Sequence, residues 1–174
     1  MNLNLTEKTL YIITGPCGVG KSTISQKLAE QFALSCHINA DHLYGMVVGG
    51  YIEPWKDDGT KLDLLWRNIS SLVKNFTSED YIAIVDYIVF PEHLKFIKGL
   101  NQRVKYVVLT ADEDIIRERD LLRPEDQVMG ERAIELLAEF KEKNIDSRYI
   151  IDTSDKSIEE VIDIILNEER FIIT

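Results

Sequence analysis

The chain has 174 residues, of which 45% are hydrophobic and 29% charged, the proportions of one globular domain able to bury a core without metals or disulfides. Its 30 acidic residues outweigh 20 basic ones to give a formal charge of −10, which disfavours DNA or long RNA as a partner, since binding to a polyanion draws on clustered Lys and Arg. No apolar run approaches the roughly 20 residues that span a bilayer, and Leu10 to Thr14 is too short for a signal-peptide core. A single domain over residues 1–174, cytoplasmic, monomeric or homodimeric and without a membrane partner, is therefore expected. Cys17 and Cys36 have neither the number nor the spacing of a disulfide framework or metal site.

Thr9 to Ile13 is β-branched and aromatic and reads as a strand. It runs into Gly15-Pro-Cys-Gly-Val-Gly-Lys-Ser-Thr23, a complete G-x-x-x-x-G-K-[ST] phosphate-binding loop. Glycine lets the chain turn tightly and bring successive N–H groups onto anionic oxygens, where a Cβ would obstruct the approach. Gly15, Cys17, Gly18, Val19, Gly20, Lys21, Ser22 and Thr23 are thus expected to bind a nucleotide. Lys21 supplies a charge for the β- and γ-phosphates, and the Ser22 hydroxyl ligates Mg²⁺. The helix that follows, Ser22 to Phe32, adds its N-terminal dipole. An ordinary Gly-rich turn without a ligand is the alternative, and the flanking strand and helix argue against it.

Ser35 to Asn39 forms the next strand, with Asp41 just beyond it. From Asp41 to Gly59 the periodicity fails, and Tyr44, Met46, Val47, Val48, Tyr51 and Trp55 appear in a Gly-containing stretch, where a small-molecule acceptor is expected to sit. Trp55 either faces that acceptor or caps the core. Leu62, Leu65, Trp66, Ile69, Leu72, Val73 and Phe76 then recur at helical spacing, which makes Trp66 a core residue. Strands follow at Tyr81 to Val85, closing on Asp86, at Val104 to Leu109, and at Arg148 to Ile151, followed by Asp152. Thr110-x-x-Glu113 and Ser157-x-x-Glu160 read as capping boxes. Ile158, Val161, Ile162, Ile165 and Leu166 define the last helix, and the acidic faces Glu131 to Glu142 and Glu159 to Glu169 are expected to be solvated.

Strands and helices alternate throughout, so the fold class is α/β: a three-layer, doubly wound parallel sheet. Such a sheet binds ligands at the carboxyl ends of its strands, where Asp41, Asp86 and Asp152 fall. Asp86 reads as a carboxylate holding Mg²⁺ through water, and Asp41 as a general base for an acceptor hydroxyl, with an N-cap for the helix starting at His42 as its alternative. Arg119 and Arg123 are candidates to stack on adenine or clamp the transferring phosphoryl group. Pro124 is expected to end their helix at Arg123 and to make 124–130 a short lid, while Arg117 lies on a solvated face. No histidine has metal-ligand spacing, although His42 can line the acceptor pocket.

On these residues the chain resembles the small P-loop kinases that include gluconate kinase, shikimate kinase and chloramphenicol phosphotransferase, and proteins described as kinase-like AAA ATPases. The resemblance rests on the loop Gly15 to Thr23, Asp41, Val85-Asp86, Arg119-x-x-x-Arg123-Pro124 and Asp152-Thr153-Ser154, and covers nearly the whole chain. It implies a five-stranded sheet of order 2-3-1-4-5, a catalytic set of Lys21, Asp41 and Arg123, and a loop holding Asp152 and Thr153 near the adenine. Tyr44 to Tyr51 carries none of the basic residues by which gluconate kinases hold a carboxylate. The expected activity is transfer of a phosphoryl group from ATP, with Mg²⁺, to a hydroxyl of a small molecule. A nucleoside or nucleotide kinase is the nearest alternative, and a nucleotide-switched regulatory module is the alternative outside enzymes; Asp41 and the aromatic stretch favour the enzyme.

Overall fold

The computed structural model describes residues 9–97, 99–100 and 102–173. Five strands, β1 (Thr9–Thr14), β2 (Ser35–Asn39), β3 (Ile82–Asp86), β4 (Arg103–Thr110) and β5 (Ile150–Asp152), form a sheet of order β2-β3-β1-β4-β5. Every neighbouring pair is parallel, as the expected order requires. The helices are α1 (Lys21–Ala29), α2 (Ala40–Gly45), α3 (Thr60–Ser78), α4 (Glu113–Leu121), α5 (Glu131–Glu142) and α6 (Ile158–Asn167). None of the described helices is long and apolar enough to cross a membrane.

The central strands β1 and β3 are buried at every position, because helices cover both faces of the sheet. Side-chain alternation in β1 then feeds two cores: Tyr11 and Ile13 pack with Leu28 of α1 and Ile165 of α6, whereas Leu10 and Ile12 pack with Trp66 and Val73 of α3. Trp66 is 1% exposed, and replacing such a side chain by Ala costs about 3–5 kcal/mol. The first turn of α3 is fixed from outside the helix: one Asp57 carboxyl oxygen accepts from the N–H groups of Gly59, Lys61 and Leu62 at 3.0, 3.0 and 3.1 Å. Lys105 is buried in β4 and donates to the carbonyls of Ile165 and Leu166 at 2.8 and 3.0 Å, a cation at the negative end of α6.

The Ser157 and Glu160 capping box is present in both directions. The one expected at Thr110 is not: Thr110 ends β4, and α4 begins after Asp112, whose side chain makes no cap. The sheet claims Thr110 through its pairing with Asp152, and the Asp112 N–H instead donates to Ser154 Oγ at 2.8 Å. The last strand starts later than expected because Ser147–Tyr149 is a 3-10 turn, with Asp146 accepting from the Arg148 N–H. Helix α4 stops at Leu121, two positions short of Arg123.

Candidate active site

The phosphate loop leaves β1 with Gly15, Gly18 and Gly20 all at positive φ (138°, 83° and 94°), which is where the sequence supplies glycine. A Cβ on Gly15 would lie 2.1 Å from the Leu109 carbonyl oxygen, and one on Gly18 would lie 3.0 Å from that of Ile116. The loop is thus wedged against β4 and α4 with no room for a side chain. Val19 and Cys17 turn their side chains to the core and leave their backbone to the loop. Gly20 occupies the N-cap of α1, where it has no side chain with which to answer the first N–H groups of that helix. This open, positive helix end under a Gly-lined cradle suits phosphate oxygens. Lys21 Nζ spans the loop to the Pro16 carbonyl at 2.9 Å, and Ser22 and Thr23 are exposed in the first turn.

Asp86 ends β3 beside Ile13 of β1 and Asn39 of β2 and is 2% exposed. Its Oδ2 accepts from Asn39 Nδ2 at 3.2 Å, and His37 Nε2 stands 3.4 Å from the same oxygen. The other imidazole nitrogen, Nδ1, lies 3.3 Å from Gln26 Oε1 on α1. Ser22, Gln26, His37, Asn39, His42 and Phe76 help to line an open cleft of about 560 Å³ along the β2 edge. No group of three or more His, Cys, Asp or Glu among the described residues is arranged to hold a metal by itself. Mg²⁺ does not ask for one, since it is commonly held by one or two protein oxygens together with substrate phosphates and water. Ser22 and Asp86 fit that requirement.

Asp41 lies in the first turn of α2, not at its N-cap. That position belongs to Asn39, whose Oδ1 accepts from the His42 N–H at 3.2 Å, so the expectation of Asp41 as a cap is corrected. The helix begins at Ala40, two residues before His42, which puts the cap on the last residue of β2, and Asn fills the role as well as Asp. Asp41 is an exposed residue just past the carboxyl end of β2, although its carboxyl is partly shielded from water. The protein around it displaces water and raises its pKa; Lys21 pulls it down, Asp86 raises it further, and Arg123 and His42 lower it. Three residues far apart in sequence, Lys21, Asp86 and Arg123, therefore act on one carboxyl.

Arg119 and Arg123 occupy different places. Arg119 donates to Thr153 Oγ1 and to the Thr153 carbonyl, beside the Asp152 to Ser154 turn in which Asp152 Oδ1 accepts from the Ser154 N–H at 2.9 Å. Arg123 stands past the end of α4 and pairs with Asp120 at 3.4 Å. The stretch after Pro124 includes the 3-10 turn Glu125–Gln127, and its far end is fastened: buried Asp120 accepts from the N–H groups of Met129 and Gly130 at 2.9 and 2.7 Å. Arg117 is paired with Glu113 and Glu131 on an exposed face, in keeping with a solvated role.

On the far side of Asp41, Tyr87 is buried, which raises its pKa, and the carboxyl of Asp41 raises it further, with Tyr44, Tyr51 and Asp57 acting in the same direction. Tyr44 is buried and donates to the Ile52 carbonyl at 2.7 Å, and its ring meets the edge of Tyr51 at 5.8 Å. Met46 (72%), Val48 (89%) and Trp55 (56%) are exposed, so Trp55 does not cap the core. The segment is also less irregular than expected, since α2 occupies its first part. Sequence reasoning missed Asn39, Tyr87 and Asp120. Only Asn39 carried a signal, an N-cap residue type just ahead of a helix-compatible Ala-Asp-His; the other two act through contacts that only folding creates.

The similarity of this arrangement to known proteins is broad in fold and low in sequence. The solved structures that it resembles include a tunicamycin resistance protein from Deinococcus radiodurans (TM-score 0.67, 19% identity, 91% of this chain and 93% of that one). Others are a gluconokinase from Sinorhizobium meliloti (TM-score 0.63, 18% identity, 91% and 90% covered) and a sugar kinase from Janibacter sp. (TM-score 0.67, 14% identity, 90% and 91% covered). At such identities the likeness shows a common fold, that of small P-loop kinases. No curated protein matches the sequence. The AAA domain family, however, matches residues 12–150, from the middle of β1 through the phosphate loop and the Asp86 strand to the first residue of β5, and the chain belongs to that family.

Proposed function

We propose that the protein is a small-molecule kinase, an ATP- and Mg²⁺-dependent phosphotransferase that moves the γ-phosphoryl group to a hydroxyl. The observation that carries this reading is the place of Asp41, an exposed residue past the end of β2 on whose carboxyl Lys21, Asp86 and Arg123 all act. A nucleotide switch has no use for such a group. In the reaction, Asp41 takes the proton of the acceptor hydroxyl as its oxygen bonds to the γ-phosphorus, and the bond from phosphorus to the bridging oxygen breaks, its electron pair leaving with ADP. Lys21 and Arg123 answer the charge on the transferring group, and the loop N–H groups hold the β-phosphate. Ser22 and Asp86 would hold Mg²⁺, whose chemistry is to neutralise phosphate charge. Arg119, Asp152 and Thr153 form the side expected to receive the base.

Two of the similar structures are named a gluconokinase and a sugar kinase, which supports phosphoryl transfer to a small molecule. The acceptor side carries Glu53, Asp57 and exposed Trp55 and Met46, with no Lys or Arg from Asp41 to Trp55, and the neighbouring cations Lys56 and Lys61 are engaged by Glu53 and the Gly50 carbonyl. That composition favours an uncharged acceptor over a sugar acid. The test is ATP consumption screened against hydroxylated metabolites, nucleosides and antibiotics, with the Asp41→Asn variant alongside. Acceptor-dependent ADP release by the wild type and its loss in the variant are expected; an equal rate in both would remove Asp41 from the chemistry, and nucleotide binding without any acceptor would favour the regulatory module.

A further inference from the structure

Asn39 makes two side-chain hydrogen bonds of opposite sense. Its Oδ1 accepts from the His42 N–H at 3.2 Å and so caps α2, the helix that carries Asp41; its Nδ2 donates to Asp86 Oδ2 at 3.2 Å. The chemistry of the partners fixes this orientation, because a backbone N–H needs the amide oxygen and a carboxylate needs the amide NH₂. Ser, Thr and Asp also cap, but ionised Asp lacks a donor, and a hydroxyl, though both donor and acceptor, puts both functions on one atom nearer the backbone; the Asn amide carries them on two atoms that reach two partners. The register supports the second bond, since Asn39 lies directly across from Asp86 on the neighbouring strand. Asp86 is buried, so when Nδ2 is removed its Oδ2 has little water to turn to and keeps as neighbour only His37 Nε2, which at 3.4 Å makes no hydrogen bond to it.

We propose that Asn39 is a positioning residue that couples the two carboxylates of the site, holding one Asp86 oxygen and leaving the other free for Mg²⁺ while fixing the helix turn that carries Asp41. The proposal rests on the reading of Asp86 as the Mg²⁺ carboxylate. A cap alone would be replaceable by Ser; the coupling is not.

The test is calorimetric titration of a non-hydrolysable ATP analogue into wild type, Asn39→Ser, Asn39→Ala and Asp86→Asn, each with Mg²⁺ and with EDTA, together with melting temperatures. Partners that orient a metal-binding carboxylate typically contribute 10- to 100-fold to metal affinity. Asn39→Ser is therefore expected to melt above Asn39→Ala, having kept a cap, yet to lose about tenfold of the affinity gained from Mg²⁺, with its EDTA affinity unchanged. Should a variant be too unstable to titrate, the rise in melting temperature that Mg²⁺ adds at saturating analogue reads the same quantity. A full Mg²⁺ gain in Asn39→Ser, with that gain lost in Asp86→Asn, would reduce Asn39 to a cap and leave the Asp86 reading standing. A full gain in Asp86→Asn would overturn the metal reading and the coupling with it.

Discussion

Arg119 grips Thr153 with both terminal nitrogens, Nη1 on Oγ1 at 3.0 Å and Nη2 on the carbonyl at 2.9 Å. Thr153 in turn donates its N–H to the Thr110 carbonyl at 2.8 Å, so the guanidinium fastens α4 to the loop that closes the sheet. Removing one partner of a charged hydrogen bond costs about 1.5–3 kcal/mol. Arg119→Ala is expected to speed amide exchange at Thr153 and to weaken nucleotide binding. Arg119→Lys should recover little of either, because an ammonium cannot reproduce the fork. Exchange at Thr153 unaltered in both variants would count against this role.

Lys21 Nζ donates to the Pro16 carbonyl, a bond that a phosphate oxygen would replace with a stronger one. Lys21→Ala is expected to weaken ATP binding by roughly 10- to 150-fold, the equivalent of about 1.5–3 kcal/mol, and to abolish transfer. Calorimetric titration measures this directly, and wild-type affinity in the variant would defeat the assignment.

Asp41 gives a prediction in which rate and stability move in opposite directions. As a general base it contributes about 10²- to 10⁴-fold to transfer, and Asp41→Asn should lose that while binding ATP normally. Its pKa in the fold is raised, so its contribution to stability is present below the ordinary aspartate range and is lost as pH climbs through the raised value. At neutral pH the ionised carboxyl is therefore a net cost, and the Asn variant should melt no lower than the wild type. The same shift puts the acid limb of kcat/KM above the ordinary aspartate pKa of about 3.9. A variant that melts lower and transfers at the wild-type rate would make Asp41 structural.

Two glycines of one loop should respond differently to a methyl group. Gly15→Ala drives a Cβ to 2.1 Å from a backbone oxygen of β4, which cannot move without opening the sheet, and a loss of more than about 4 kcal/mol is expected. Gly20→Ala meets no atom within 4 Å and suffers only the strain of a left-handed residue, about 1–2 kcal/mol. Urea denaturation of the pair checks the ordering, and equal losses would show that backbone strain alone governs the loop.

Asp120 holds the end of the 124–130 segment through the Met129 and Gly130 N–H groups. In the unliganded wild type these two amides should exchange slowly despite their place in a loop. Asp120→Ala should release them and cost about 1.5–3 kcal/mol, since two part-buried donors lose a charged, buried acceptor. Fast exchange at both in the wild type would show the segment to be open in solution.

The phosphate loop was legible from the sequence because its demands are local: glycine where φ is positive, Lys-Ser at a helix start, an apolar strand before. The parallel α/β class followed from alternating strands and helices, the sheet order from the resemblance to the small P-loop kinases, and Trp66 from helical periodicity. The failures at Thr110 and Asp41 share a cause. Both are good capping residues by type, but the pairing of Thr110 with Asp152 and the position of Asn39 at the end of β2 decided which residue stood at each helix end.

By itself, then, the sequence determined a parallel α/β domain with a phosphate-binding loop and named the acidic and basic residues beyond it, since these depend on near neighbours and on which side chains can be buried. Only the tertiary structure decided how those residues meet. Asp41 feels Lys21, Asp86 and Arg123 because three separate strand and helix ends converge on one side of the sheet, and Asn39 joins two carboxylates because β2 and β3 pair in one register. Hydrogen bonds act over about 3 Å and charge interactions weaken with separation and are screened beyond about 10 Å, and distance in space is what the order of residues along a chain does not record.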